Sequence, residues 1–182
     1  MQRLNNELQR NAGLAGWLQK IKGEGAELPP KSSLLPVMIA GLGSFILIAS
    51  LAGLASSFEA TLVLGSFGAS CVLVFGFPDA PFSQPRNILA GHTLSSLVGL
   101  LCLTYLGPAW WSMALAVSLA VMLMMATRTV HPPAGSNPVI VFLAQPAWDF
   151  LLFPTVVGAL GIVLVALLYN NLSREGSYPQ YW

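Results

Sequence analysis

The residues of this chain that can do chemistry are few, and most of them fall in two stretches. In Arg128-Thr129-Val130-His131-Pro132-Pro133-Ala134-Gly135-Ser136-Asn137-Pro138 a cation, an imidazole, three prolines and an Asn-Pro pair stand within eleven residues. Proline lacks an amide hydrogen and pushes the residue before it out of helical geometry. His131 to Asn137 should therefore be extended or turning, and a helix should begin near Pro138. Its free amides would face back over Gly135, Ser136 and Asn137. The second stretch, Gly68-Ala69-Ser70, stands before another apolar run. Free amides at a helix start sit at the positive end of the helix dipole, which suits an anion. The hydroxyls of Ser66, Ser70 and Ser136 and the carboxamide of Asn137 add donors. The chemistry indicated is the holding of a small anion by neutral groups. Close helix packing is the competing explanation of small residues in apolar segments, and it is the one adopted for Gly41, Gly43, Gly158 and Gly161.

His92 lies in an apolar run among Gly91, Thr93, Ser95 and Ser96. An ionisable group at membrane depth is a functional hypothesis by default. Here it would relay a proton or donate to the anion, against the plainer alternative of an imidazole satisfied by a neighbouring carbonyl. His131 is expected to bond a backbone group of its own proline-rich turn, with a gate or a proton acceptor as its other role. Arg86 and Arg128 end corresponding segments, where they would anchor the topology or form an electropositive vestibule that draws anions. Asp79 is expected to pair with Arg86. Cys71 and Cys102 match no metal or redox spacing and are read as core residues. No motif pairs a nucleophile with a base, and two histidines are too few ligands for a catalytic zinc. Neither an enzyme nor a metal or organic cofactor is expected.

A set of membrane helices must position these residues. The 182-residue chain is 55% hydrophobic and 8% charged, with a mean hydropathy of +0.69, whereas about a quarter of a soluble domain is charged. Apolar segments near the roughly 20 residues that a bilayer core requires run from Leu34 to Ser56, Ala60 to Phe77, Asn87 to Leu106, Ala109 to Thr127 and Phe150 to Tyr169. The short run Val139 to Ala144 stands before the last. It either re-enters, leaving five crossings, or joins an extended arm to complete a sixth. Charge favours six. With a cytoplasmic amino terminus all eight Lys and Arg fall on one side, and the opposite loops, with Glu59, Pro108 and Asp149, carry none, as the positive-inside rule asks. Trp110 and Trp111 suit the interfacial belt. Residues 1–33 form a basic cytoplasmic arm holding Arg3, Arg10, Lys20, Lys22 and Lys31. Its Leu4, Leu8, Trp17, Leu18 and Ile21 give the imperfect stripe of an interfacial helix, with a frayed tail as the alternative. No cleavable signal peptide is expected, and the first membrane segment doubles as the insertion signal. Residues 34–172 are the membrane domain and 173–182 a cytoplasmic tail. A net charge of +1 offers nothing to nucleic acid.

His131-Pro132-Pro133-Ala134-Gly135-Ser136-Asn137-Pro138 resembles the signature of the HPP family of integral membrane proteins. So does Gly65-Ser66-Phe67-Gly68-Ala69-Ser70, followed by Phe77-Pro78-Asp79-Ala80-Pro81 and Gln84-Pro85-Arg86-Asn87. The likeness covers roughly residues 34 to 172. Ser136 departs from it, standing where a small residue such as Ala is expected. The resemblance implies a membrane protein linked, in chloroplast and cyanobacterial relatives, to nitrite transport.

Gly68-Ala69-Ser70-Cys71-Val72-Leu73-Val74-Phe75 can be laid on Gly135-Ser136-Asn137-Pro138-Val139-Ile140-Val141-Phe142, matching at Gly, Val, Val and Phe. Each half reads as helix, broken segment, helix, and an odd number of crossings per half would invert one against the other. Paired broken segments at corresponding places of inverted halves point to a transporter site. The expectation is an all-α polytopic protein of about six membrane segments, in a bacterial inner membrane. It would pass a small inorganic anion, nitrite by resemblance, held by Gly68, Ala69, Ser70, Gly135, Ser136, Asn137 and His92. The chain is short for enclosing a pathway, so a homodimer or higher homo-oligomer in lipid is expected. The alternative class is a non-transporting scaffold or sensor whose basic arm recruits a cytoplasmic partner.

Overall fold

The computed structural model describes residue 21 and residues 27–58 and 64–182, and among these no strand occurs. The chain divides into two units, Met1–Ser32 and Ser33–Trp182. In the first, Ile21 is helical and residues 27–32 are irregular and exposed; the rest of the basic arm lies outside the described residues. The second contains α1 (Leu34–Phe58), α2 (Gly65–Gly76), α3 (Pro85–Leu106), α4 (Trp110–Ala126), α5 (Asn137–Ala144) and α6 (Val157–Ser173). Among the described residues three stretches are long and apolar enough to cross a membrane: Leu34–Ser57, Pro85–Leu106 and Trp148–Ser173. α2 and α4 are apolar but shorter.

Local chemistry sets most of the helix ends. Pro85 opens α3 and Pro138 stands in the first turn of α5, where the missing amide hydrogen breaks no bond. Gly107, at φ 77°, closes α3 with its amide on the Leu103 carbonyl. α4 ends without a glycine. Arg128 takes φ 57°, its amide meets the Met125 carbonyl at 3.2 Å, and the Thr129 amide meets Met124 at 2.9 Å. These are the paired reverse bonds of a Schellman end, in which glycine is the usual occupant. The apolar run from Phe150 to Tyr169 is not one regular helix. Pro154 holds Phe153 extended at φ −122° and ψ 117°, a 3₁₀ turn and a π turn fill residues 148–156, and regular α6 runs from Val157 to Ser173.

α3 is the centre of the unit, with α4, α5 and α6 packed on it. α1 packs on α2 and α6 through one buried stripe, Gly43, Leu47 and Leu51, while Leu35, Met38, Leu42 and Phe45 are exposed. A helix apolar all round suits a membrane segment. Close approaches on α3 set the course of the fifth segment. A Cβ on Gly91 would lie 2.8 Å from that of His131, and one on Gly99 would lie 3.0 Å from Pro138 Cα. Further on, Phe142 shares a cluster with Cys102 and Ala116. The segment therefore runs along α3 from Gly91 towards its far end. α2 runs the other way. It begins where the Phe67 ring meets His92 and ends where Asn170 Nδ2 donates to the Val74 carbonyl at 3.1 Å and the Arg174 guanidinium donates to Phe75 O.

Arg86, Arg128 and Arg174 lie at that same end. Arg86 donates to the Thr127 carbonyl at 3.2 Å, next to Arg128. The expected tail is docked on the loop before α3: Tyr178 OH donates to Ser83 O at 2.7 Å and the Gln180 amide to Gln84 Oε1 at 2.8 Å.

Candidate functional site

Four of the residues marked by sequence meet around one imidazole. Ser70 from α2, His131 from the proline-rich turn and Asn137 from the start of α5 converge on His92 of α3, and all four are completely buried. Pro132–Ser136 forms a short 3₁₀ helix, which leaves His131 extended before it and makes Asn137 the first residue of α5. Two side chains of α3 hold the turn in place. Ser95 Oγ donates to the Ala134 carbonyl at 2.5 Å, and Asn87 Nδ2 donates to the Val130 carbonyl at 2.9 Å.

The hydrogen bonds run in one direction. His131 Nδ1 lies 2.7 Å from the Phe82 carbonyl, which can only accept, so Nδ1 carries the hydrogen and Nε2 of the neutral ring accepts. Ser70 Oγ donates to that Nε2 at 2.9 Å. On the other side of His92, Asn137 Nδ2 is 3.1 Å from Nδ1, 3.3 Å from the His92 carbonyl and 2.9 Å from Ser96 Oγ. The carbonyl identifies the facing atom as the amide nitrogen. His92 Nδ1 therefore accepts, and its Nε2–H donates to Ser70 Oγ at 3.1 Å. Ser96 Oγ and Thr155 Oγ1 are 3.0 Å apart and extend the row to the break before α6. Buried hydrogen bonds in such a row strengthen one another.

The expected cradle of amides does not form as expected. α2 opens at Gly65, so the amides of Ala69 and Ser70 lie inside the helical ladder, and Gly68 and Ala69 sit on its exposed side. The Asn137 amide bonds the Ala134 carbonyl, and Ser136 Oγ donates to the Pro133 carbonyl at 2.8 Å. What the two stretches share is a groove of about 510 Å³, lined by Gly65, Ser66 and Ala69 of α2 and by Pro132, Pro133 and Ser136 opposite. A Cβ at Gly65, Gly68 or Gly135 would meet nothing within 4 Å. Among the described residues Ser66 Oγ is buried without a hydrogen-bond partner, as is Asn137 Oδ1.

Arg86 and Arg128 stand outside the buried row. Arg86 lines a second groove of about 500 Å³ with Thr93, Thr127, Thr129 and Leu160. Asp79 does not pair with it but accepts from Gln180 Nε2 at 3.2 Å. His131 bonds Phe82, in the loop before α3, and not its own turn. Cys71 and Cys102 are buried and free. Sequence reasoning missed Thr155 and the link through Ser96. Ser96 stands one turn after His92, a readable spacing; the proline before Thr155 was the signal there.

A family model described as HPP, transmembrane region, matches residues 29–179. Two proteins of Dictyostelium discoideum, both described as transmembrane proteins, are similar. One is 39% identical over 166 residues, which is 85% of this chain and 58% of that protein; the other is 38% identical over 178 residues, 91% and 57%. The chain thus spans somewhat more than half the length of these relatives. No solved structure matches.

Proposed function

The chain belongs to the HPP transmembrane family, and from that premise we propose that it passes a small inorganic anion across a membrane, with nitrite, the substrate its family resemblance implies, as the first candidate. One observation carries this reading. α2 and α5 both begin at the level of His92 and run apart, and Ser70 and Asn137, matched positions in the internal alignment, sit on its two ring nitrogens. Irregular backbone is tolerated at membrane depth where it lines a cavity, and broken segments at corresponding places in two halves are the pattern of transporter sites. The anion would lie in the groove against the opening of α2, where the helix dipole and the Ser66 hydroxyl can donate. Its other walls are mostly apolar. Few neutral donors release a ligand readily, as passage requires.

The membrane arrangement that suits this role has six crossings in inverted halves. Residues 129–131, the 3₁₀ turn and α5 reach roughly 30 Å together, against a hydrocarbon core of about 30 Å. The arginine end then faces the cytoplasm with the amino terminus, in a bacterial inner membrane. The small exposed residues Gly68 and Ala69 beside the groove suit close approach of a second copy, which would close it in a homodimer.

Reconstitution in liposomes tests the reading, with flux of nitrite, nitrate, formate and chloride followed against protein-free vesicles. Nitrite should enter. Ser66→Ala should weaken its apparent affinity about tenfold or more, since a hydrogen bond to a charged group is worth roughly 1.5–3 kcal/mol. Absence of flux for all four anions would favour the scaffold or sensor.

A further inference from the structure

Two imidazoles face a single hydroxyl. His92 Nε2 and His131 Nε2 lie 3.1 and 2.9 Å from Ser70 Oγ, which has one hydrogen to give, and in the neutral arrangement it goes to His131. That nitrogen is an acceptor whose donor can leave. Ser70 Oγ has a second acceptor within reach, the Ser66 carbonyl at 3.1 Å, whereas His92 Nδ1 is covered by Asn137 Nδ2. We infer that Ser70, His92 and His131 form a binding site for one proton, and that this proton travels with the anion held in the neighbouring groove; the inference rests on the anion reading above.

The step needs no co-reactant. A proton from hydronium adds to the Nε2 lone pair of His131, Ser70 turns its hydrogen to the Ser66 carbonyl, and Ser70 Oγ then accepts from both Nε2–H groups. Reversal returns the proton to water. Only one proton fits, because the two ring centroids are 5.0 Å apart and two cations there would repel strongly. The groups that face the pair are Phe67 and Ser70 from α2, the Phe82 carbonyl, Ser96 of α3 and Asn137 of α5. Apart from the histidines none of these titrates, and none is a carboxylate, lysine or arginine. A lone imidazolium buried without a counter-charge is unfavourable. An anion at Ser66, four residues or about 6 Å along α2 from Ser70, offsets it. Proton and anion therefore raise each other's affinity by the same factor.

Titration calorimetry of the purified protein with sodium nitrite, in buffers of different ionisation enthalpy near neutral pH, counts the protons. About one proton should be taken up per nitrite bound, with Ser70→Thr keeping the count and Ser70→Ala reducing it towards none. Nitrite binding without proton uptake by the native protein overturns the proton site and leaves the anion site standing. Absence of nitrite binding overturns both. A folded Ser70→Ala protein that still takes up a full proton also overturns the assignment, and if that variant does not fold the native count decides.

Discussion

Asn137 ties the buried row together. Its nitrogen faces a ring nitrogen, a backbone carbonyl and a hydroxyl of α3, so replacing it removes a donor from several buried acceptors at once. Asn137→Leu keeps the size of the side chain and should cost about 1–3 kcal/mol for each group left unsatisfied. For a chain this long the melting temperature falls by about 2–4 °C per kcal/mol, which thermal unfolding in detergent measures. Melting at or above the native temperature would mean that the row contributes nothing to stability. His92, His131, Ser70 and Asn137 were legible as residues, because polar groups stand out in apolar sequence. Their meeting was not, since Ser70 and His131 are 61 positions apart and no local pattern encodes such a contact. Arg128 illustrates a different limit: nothing in its type announces the left-handed conformation it takes.

At the scale of elements, the site depends on how closely the proline-rich turn lies on α3. A Cβ at Gly91 would meet the His131 Cβ at 2.8 Å and the Thr129 carbonyl at 3.2 Å, atoms too close to the backbone to swing aside. Gly91→Ala should therefore push the turn off the helix and cost roughly 1–3 kcal/mol. Gly135→Ala, whose Cβ meets nothing within 4 Å, should change stability by no more than about 0.5 kcal/mol. Unfolding both variants side by side checks the contrast, and equal stability would contradict the close approach. α1, α3 and α4 were legible because uniform apolar runs are bounded by proline, glycine or charge. The start of α2 and the break at Phe153 and Pro154 were hidden inside such runs, where hydrophobicity carries no information about where a helix opens.

The whole unit pairs its helices in a way that the proposed inverted repeat requires. α1 packs on α2 and α6 as α4 packs on α5 and α3, and α2 packs on α6 as α5 packs on α3. Exchanging α1 with α4, α2 with α5 and α3 with α6 reproduces each contact. The alignment of two short stretches hinted at this, but no sequence match reports which way each half faces the membrane. The central claim, that two inverted halves meet at His92, is tested most directly by the sidedness of single cysteines in intact cells, with native Cys71 and Cys102 buried. Pro108→Cys and Asp149→Cys should react with an impermeant thiol reagent from outside, and Arg128→Cys and Glu175→Cys only after permeabilisation. Labelling of Glu175→Cys from outside would leave five crossings and contradict the inverted halves.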